Sequence, residues 1–453
     1  MKLNKHLLAT SIMVATLFAG NALGAVSEEQ AAKLGDSLTP MGAEKAGNGN
    51  EIPAWDGGLA TPPAGYKDDG VYVNPFLDEK RLFTIDQSNV EEYADKLSPG
   101  QIAMINRYDG YVIPVYKTHR SAVYPEKVMS DTVANATTTE LIKDGNGLGN
   151  YETATPFPIP QNGLEAIWNH ITRYRGGSIQ RNSGQVAPTE NGAYSVVKFQ
   201  DELTWKTYLK DYEPGQAENV LFYFKQAITA PARLAGNVLL VHETIDQVKE
   251  PRSAWIYNAG QRRVRRAPQV AYDGPGTASD GLRTSDNFDM FNGAPDRYNW
   301  ELVGKKEMYI PYNSYQLVDQ DLNYDEIVRA GHINQELTRY ELHRVWHVRA
   351  TLKDGERHVY AKRDLYIDED SWQASIIDHY DGRGELWRVA EAHSMQFYDQ
   401  AIPWYAIESL YDLLSGRYLV LGLTNEEANP FTFDVERMSR DFTPAALRRA
   451  GTR

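Results

Sequence analysis

The 453-residue chain contains no cysteine. That absence excludes a disulfide framework, a thiolate metal site, a cysteine nucleophile and a cysteine acceptor for a lipid anchor. Beyond residue 24 no run of roughly eighteen uncharged apolar residues occurs, so no membrane-spanning helix is expected there and the mature protein reads as soluble. Positive charge is scarce, with 47 Lys and Arg against 61 Asp and Glu and a formal net charge of −14. Such a chain repels nucleic acid and anionic membrane overall.

The usual signatures of catalysis are missing too. There is no G-x-S-x-G elbow, no phosphate-binding G-x-x-x-x-G-K-[ST] and no H-E-x-x-H, and nothing points to a cofactor. The glycines of Gly145-Asn146-Gly147-Leu148-Gly149 follow no buried strand and precede no helix, so they read as a flexible loop. Taken as a calcium loop from Asp144, the same segment fails with Leu148 and Thr155 at ligand positions. His343 and His347 lie four apart on an expected strand, which separates them by about 13 Å and prevents them from sharing one ion. His379 and His393, which could neighbour each other across a hairpin, leave some room for a metal pair. Ordinary hydrogen-bonded histidines remain the more economical expectation. Asp378 and Glu391 are the acid pair that a hydrolase would need, although no spacing demands that role.

What the chain has is a leader and a ladder. Lys2 and Lys5, the apolar stretch Leu7 to Ala19 and the small residues around Ala22-Leu23-Gly24 predict a signal peptide over 1–24 and export to the periplasm. From Ala193 to Tyr398 apolar and polar residues alternate along segments such as 253–257, 298–310, 340–352 and 385–395. Polar turns at Asn258-Ala259-Gly260, Asp354-Gly355 and Asp381-Gly382-Arg383-Gly384 divide them. This pattern predicts a mainly β, α+β protein: a curved antiparallel sheet, closed or half-closed, with amphipathic helices available to cover it.

Helices are expected after Ser27, from Ser98-Pro99 to Arg107, and after Asn162, where Leu164, Ile167, Trp168, Ile171 and Tyr174 form a stripe. Residues 132–150 read as loop. Pro403 opens an expected lid helix over 403–415 with Trp404, Ile407, Leu410, Tyr411 and Leu414 on one face, a strand runs from Tyr418 to Leu423, and Pro444 starts a last helix. The resulting organisation is an N-terminal arm and helical region over 25–190, a half-barrel over 191–430 and a tail over 431–453.

By period two, Trp255, Tyr257, Trp300, Leu302, Trp346, Val348, Trp387 and Val389 are expected to point inward and line an apolar cavity. Arg262, Arg263, Arg265 and Arg266 follow a tight turn and alternate faces. They either pair with carboxylates such as Glu301 or Glu307 on adjacent strands or form a docking patch for an acidic partner or an anionic lipid head group.

The segments 38–58, 239–246, 255–273, 305–313, 339–372 and 380–391 resemble the family catalogued as domain of unknown function 1329. That family is grouped with the periplasmic lipoprotein carrier LolA and its outer-membrane receptor LolB. The resemblance implies a LolA-like half-barrel, an incomplete antiparallel β-barrel covered by amphipathic helices, with an apolar cavity for a lipid or other hydrophobic molecule; no catalytic residues are established for the family, so none are carried over. It also implies the company of an RND-type inner-membrane exporter and an outer-membrane β-barrel protein. A non-enzymatic adaptor of an envelope export complex is the alternative.

Overall fold

The structure is a computed structural model, and it describes residues 25–215, 218–247, 249–267 and 272–451. The expected signal peptide lies outside the described residues. Helices α1 (Glu28–Ala31) and α2 (Pro99–Arg107) begin with reciprocal caps from Ser27 and Ser98. The strands β1 (Phe83–Ile85) and β2 (Ile113–Val115) flank α2 in sequence. Residues 132–150, expected as loop, instead hold the end of α3 (Glu126–Thr138) and a hairpin of β3 (Glu140–Ile142) and β4 (Gly147–Gly149). Val128, Thr132 and Ala136 recur every four residues and are buried along α3, a stripe of small side chains that composition alone disguises.

Helix α4 (Gly163–Thr172) forms where Asn162 places its side-chain oxygen on the Glu165 N–H. The long ladder then follows: β5 (Ser178–Val186), β6 (Val197–Trp205), β7 (Phe222–Ala230), β8 (Val238–Glu243), β9 (Ser253–Asn258) and β10 (Arg263–Arg266). After an irregular segment come β11 (Tyr298–Pro311), the short α5 (Tyr324–Ile327), β12 (Tyr340–Leu352), β13 (Lys362–Asp368), β14 (Ala374–Tyr380) and β15 (Leu386–Phe397). β16 (Ile402–Asp412), β17 (Tyr418–Leu423), β18 (Phe431–Phe433) and α6 (Pro444–Gly451) complete the chain.

Sixteen strands form one sheet that is not closed into a barrel. Among the described residues β10 pairs only with β9 and β11 only with β12, so the two ends of the ladder do not meet. All pairings are antiparallel except the contact of β2 with the first residue of β12. Residues 25–190 do not stand apart, because β1, β2 and β5 hydrogen-bond into this sheet.

The expected lid helix over 403–415 is strand β16. Its residues are apolar on both sides: Trp404 and Leu410 enter one core and Ile407 and Tyr411 the opposite one. A strand buried on both faces loses its alternation, and the spacing of 404, 407, 411 and 414 then imitates a helix.

Each face of the sheet is therefore covered. On the inner face α4 crosses β11 and β12, and the segment Tyr272–Arg297 runs across the remainder. Trp168, Trp372, Phe397 and Val348 are fully or almost fully buried in this core. On the outer face α2 packs on β14 and β15, over a core of Leu97, Met104, Ile105, Val389 and Ile407. A smaller core holds Tyr223, Leu240 and Tyr257 beneath Phe442 and Leu447 of the C-terminal segment.

Candidate ligand cavity

Most of the inner face is filled by the chain itself. Among the described residues a cavity of about 140 Å³ opens between β7, β8, β9 and the segment Tyr272–Arg297. Alternation builds its wall: Phe222 and Phe224 of β7, Leu239 and Val241 of β8, and Ile256 of β9 point to it, and Phe288 closes the far side. Ile256 is 42% exposed and marks the mouth.

Beside this apolar wall lies a buried layer of charge. Asp289 accepts from Arg173 at 2.5 Å and pairs with Arg175 at 3.2 Å, and these guanidiniums hold its carboxyl below the ordinary range despite burial. Arg181 pairs with Asp201 at 3.4 Å, and Arg363 with Asp286 at 2.6 Å. Glu408 sits in the same layer with one carboxyl oxygen unpartnered, and burial pushes it up to about 8. Arg283 lines the cavity itself. Arg173, Arg175 and Arg181 lie close together in the sequence, where nothing marks them as facing inward. Arg283 lies in a Gly/Ser/Asp-rich stretch without any period, where no signal marks it.

The residues predicted to line a cavity divide into groups. Trp300, Leu302, Trp346 and Val348 come together on the strands that α4 crosses. Trp300 donates its ring N–H to the Pro295 carbonyl, and Trp346 stacks on Trp372 at 6.4 Å under the Lys305 ammonium. Trp255 and Tyr257 lie on the opposite side of β9 from Ile256, in the core under α6. Trp387 donates to Asp412 beneath the Arg388 guanidinium, and Val389 packs in the outer core under α2. Large aromatics thus fill cores on both sides, and size alone does not tell which side is hollow.

Arg262, Arg263, Arg265 and Arg266 are exposed at the β10 edge. Their expected pairing with Glu301 or Glu307 does not occur, because β11 is not a neighbour of β10. Arg266 instead donates to Ser253 Oγ at 3.1 Å.

The acid pair is structural in its contacts. Asp378 accepts the Gly100 N–H and the Ser98 hydroxyl at the start of α2, and Glu391 accepts the hydroxyls of Tyr111 and Tyr340. Burial raises each carboxyl to about 7, yet both are sealed under the outer core. His379 bonds to Asn287 on the inner side, whereas His393 lies beside Glu391 on the outer side, so the two rings do not converge. His343 and His347 have separate carboxylate partners, Glu341 and Asp364. His343, Asp368 and Asp370 do approach one another closely enough for a cation. Arg120 already donates twice to Asp370, at 2.9 and 2.7 Å, and Asp368 accepts from Ser371 and Tyr312. A guanidinium therefore supplies the positive charge there, and the donor set does not fit a metal.

The geometry defines a class: an open antiparallel sheet whose inner face is covered by a helix and a crossing segment, with an apolar cavity beside buried arginines. Residues 84–448 match the family described as protein of unknown function (DUF1329), and the chain belongs to it. It is 66% identical to the uncharacterized protein PA3922 of Pseudomonas aeruginosa over the full length of both chains. Among solved structures it is similar to a putative outer membrane lipoprotein-sorting protein domain from Vibrio parahaemolyticus (14% identity, 63% of this chain and 98% of that one, TM-score 0.43). It is also similar to a DUF1329 family protein from Desulfovibrio piger (14% identity, 60% and 92%, TM-score 0.41). A third likeness is to the LolA superfamily protein NE2245 from Nitrosomonas europaea (14% identity, 60% and 93%, TM-score 0.36).

Proposed function

We propose that the protein is a non-enzymatic periplasmic carrier that shields a hydrophobic molecule, or the apolar end of a lipid, in the cavity between β7, β8, β9 and Tyr272–Arg297. The observation that carries this reading is an apolar hollow of about 140 Å³ in a molecule whose remaining inner face is packed. A hollow of roughly 150 Å³ has room for a benzene-sized guest. The guest is thus about six carbons in its buried part, and a longer chain would extend past Ile256 into solvent. The arginines of the β10 hairpin are the surface offered to a partner. An RND-type exporter and an outer-membrane β-barrel protein are the partners proposed.

The test is native mass spectrometry of protein isolated from periplasm, together with extraction of bound lipid. Wild-type protein is expected to carry a small hydrophobic guest that Val241→Phe, which fills the hollow, does not retain. An empty wild-type protein whose function survives Val241→Phe overturns the reading.

The tight packing under α4 favours a second reading, an adaptor in an envelope export complex that binds proteins and no small molecule. Its expected mark is association with an outer-membrane protein that is indifferent to Val241→Phe and sensitive to charge reversal at Arg263 and Arg265.

A further inference from the structure

The apolar wall by itself binds weakly. Burying five or six methylenes contributes roughly 4 to 5 kcal/mol, which before any ordering cost corresponds only to about millimolar affinity. A carrier with so small a hollow needs a polar anchor, and two arginines line the cavity: Arg252, which is paired with Glu243 at 2.6 Å, and Arg283.

Arg283 is 4% exposed and lines the cavity next to Phe288, whose ring lies 5.5 Å from its guanidinium carbon. Its Nε has no hydrogen-bond partner. The other buried arginines among the described residues each have a carboxylate within 4.0 Å, as Arg120 has Asp370, Arg363 has Asp286 and Arg388 has Asp412. Arg283 has none. Of the nearby acids, Asp201 is committed to Arg181 and Gln226, and Asp286 to Arg363 and Thr284. Glu408 stands farther than 4.0 Å from Arg283 and, pushed up to about 8 by burial, is largely protonated at neutral pH, so it does not supply the missing charge.

The side chain is also held in place. Gly276 lies so close over it that a Cβ there would come within 2.9 Å of the guanidinium carbon, and the Gly276 N–H donates to the Arg283 carbonyl at 2.9 Å. A buried guanidinium left without an anion is unfavourable, since desolvation is not offset by a partner. A protein that keeps one beside an apolar hollow has a preformed site for the missing charge.

We propose that Arg283 is the anchor for the cargo's head group, and that the cargo is an amphiphile with a carboxylate on an apolar tail that lies against Phe222, Phe224, Leu239 and Val241. This assignment rests on the carrier reading and specifies the class of guest. The carboxylate accepts two parallel N–H bonds from the guanidinium fork, and the tail displaces solvent from the β7–β8 wall.

Isothermal titration of the full chain with hexanoate, hexanol and hexyl phosphate tests it. Hexanoate is expected to bind wild-type protein on the order of ten- to a hundredfold more tightly than hexanol, the ratio that a charge-assisted hydrogen bond supplies. Arg283→Met is expected to abolish that preference, and Arg283→Lys to keep part of it. If hexanol binds wild-type protein as tightly as hexanoate, the anchor falls and the carrier reading stands. Preferred binding of hexyl phosphate overturns the carboxylate assignment. If none of the three binds, both readings fall. The comparison of probes on wild-type protein decides the matter even if the variants do not fold.

Discussion

The Asp378 carboxylate, in the middle of β14, accepts the backbone N–H of Gly100 at 3.0 Å. That bond joins the first turn of α2 to the sheet and satisfies a donor that a helix start otherwise leaves open. A Cβ on Gly100 would stand 2.0 Å from Asp378 Oδ1 and 2.8 Å from Val389 Cγ2. Gly100→Ala is expected to destabilise the protein by about 2 to 4 kcal/mol, read as a lower denaturant midpoint at unchanged slope. An unchanged midpoint would show that α2 is not seated on β14 in this way.

Glu391 gives a pH signature. Burial raises its carboxyl from the ordinary 4.5 to about 7, although Tyr111 and Tyr340 donate to it. Between those values the folded state holds a proton that the unfolded state has lost, so this group's contribution to stability falls as pH rises from about 4.5 to about 7. Glu391→Gln keeps acceptors for the tyrosines and removes the titration. Relative to wild type it is expected to gain about 2 to 3 kcal/mol of stability between pH 5 and pH 8. Parallel stability curves for the two proteins over that range would refute the assignment.

Val241 is the residue at which filling the cavity should cost least. Phe at this position projects into about 140 Å³ of open space rather than into packed atoms. Its melting temperature is expected to stay within a few degrees of wild type while guest retention is lost. A drop equivalent to more than about 3 kcal/mol would mean that the space is already occupied in solution.

The β10 arginines are exposed and form no ion pair among the described residues. Arg263→Glu with Arg265→Glu is expected to alter stability by no more than about 0.5 kcal/mol. If the hairpin meets an acidic partner, the same double variant removes that association, and raising salt weakens it in the wild type. Association that ignores both salt and charge reversal would place the partner's surface elsewhere.

Local chemistry in the sequence reached far into this fold. The caps at Ser27, Ser98 and Asn162 located three helices, because a cap is a contact between residues a few positions apart. Alternation located most of the ladder for the same reason, and it failed at Trp404 to Asp412, where burial on both sides erases the period. Polarity alone could not say which side of a strand is hollow. Trp255 and Ile256 are neighbours in the chain, yet one lies under α6 and the other at the cavity mouth.

Composition and interactions over a few residues were enough to specify a cysteine-free, acidic, antiparallel β protein with helices at defined starts. That the sheet stays open, that α4 and Tyr272–Arg297 cover its inner face, and that Arg283 stands beside the hollow are properties of the folded molecule alone. Those facts depend on residues far apart in the chain meeting across a sheet, and no local period encodes where such surfaces leave space or which buried charge is left without a partner.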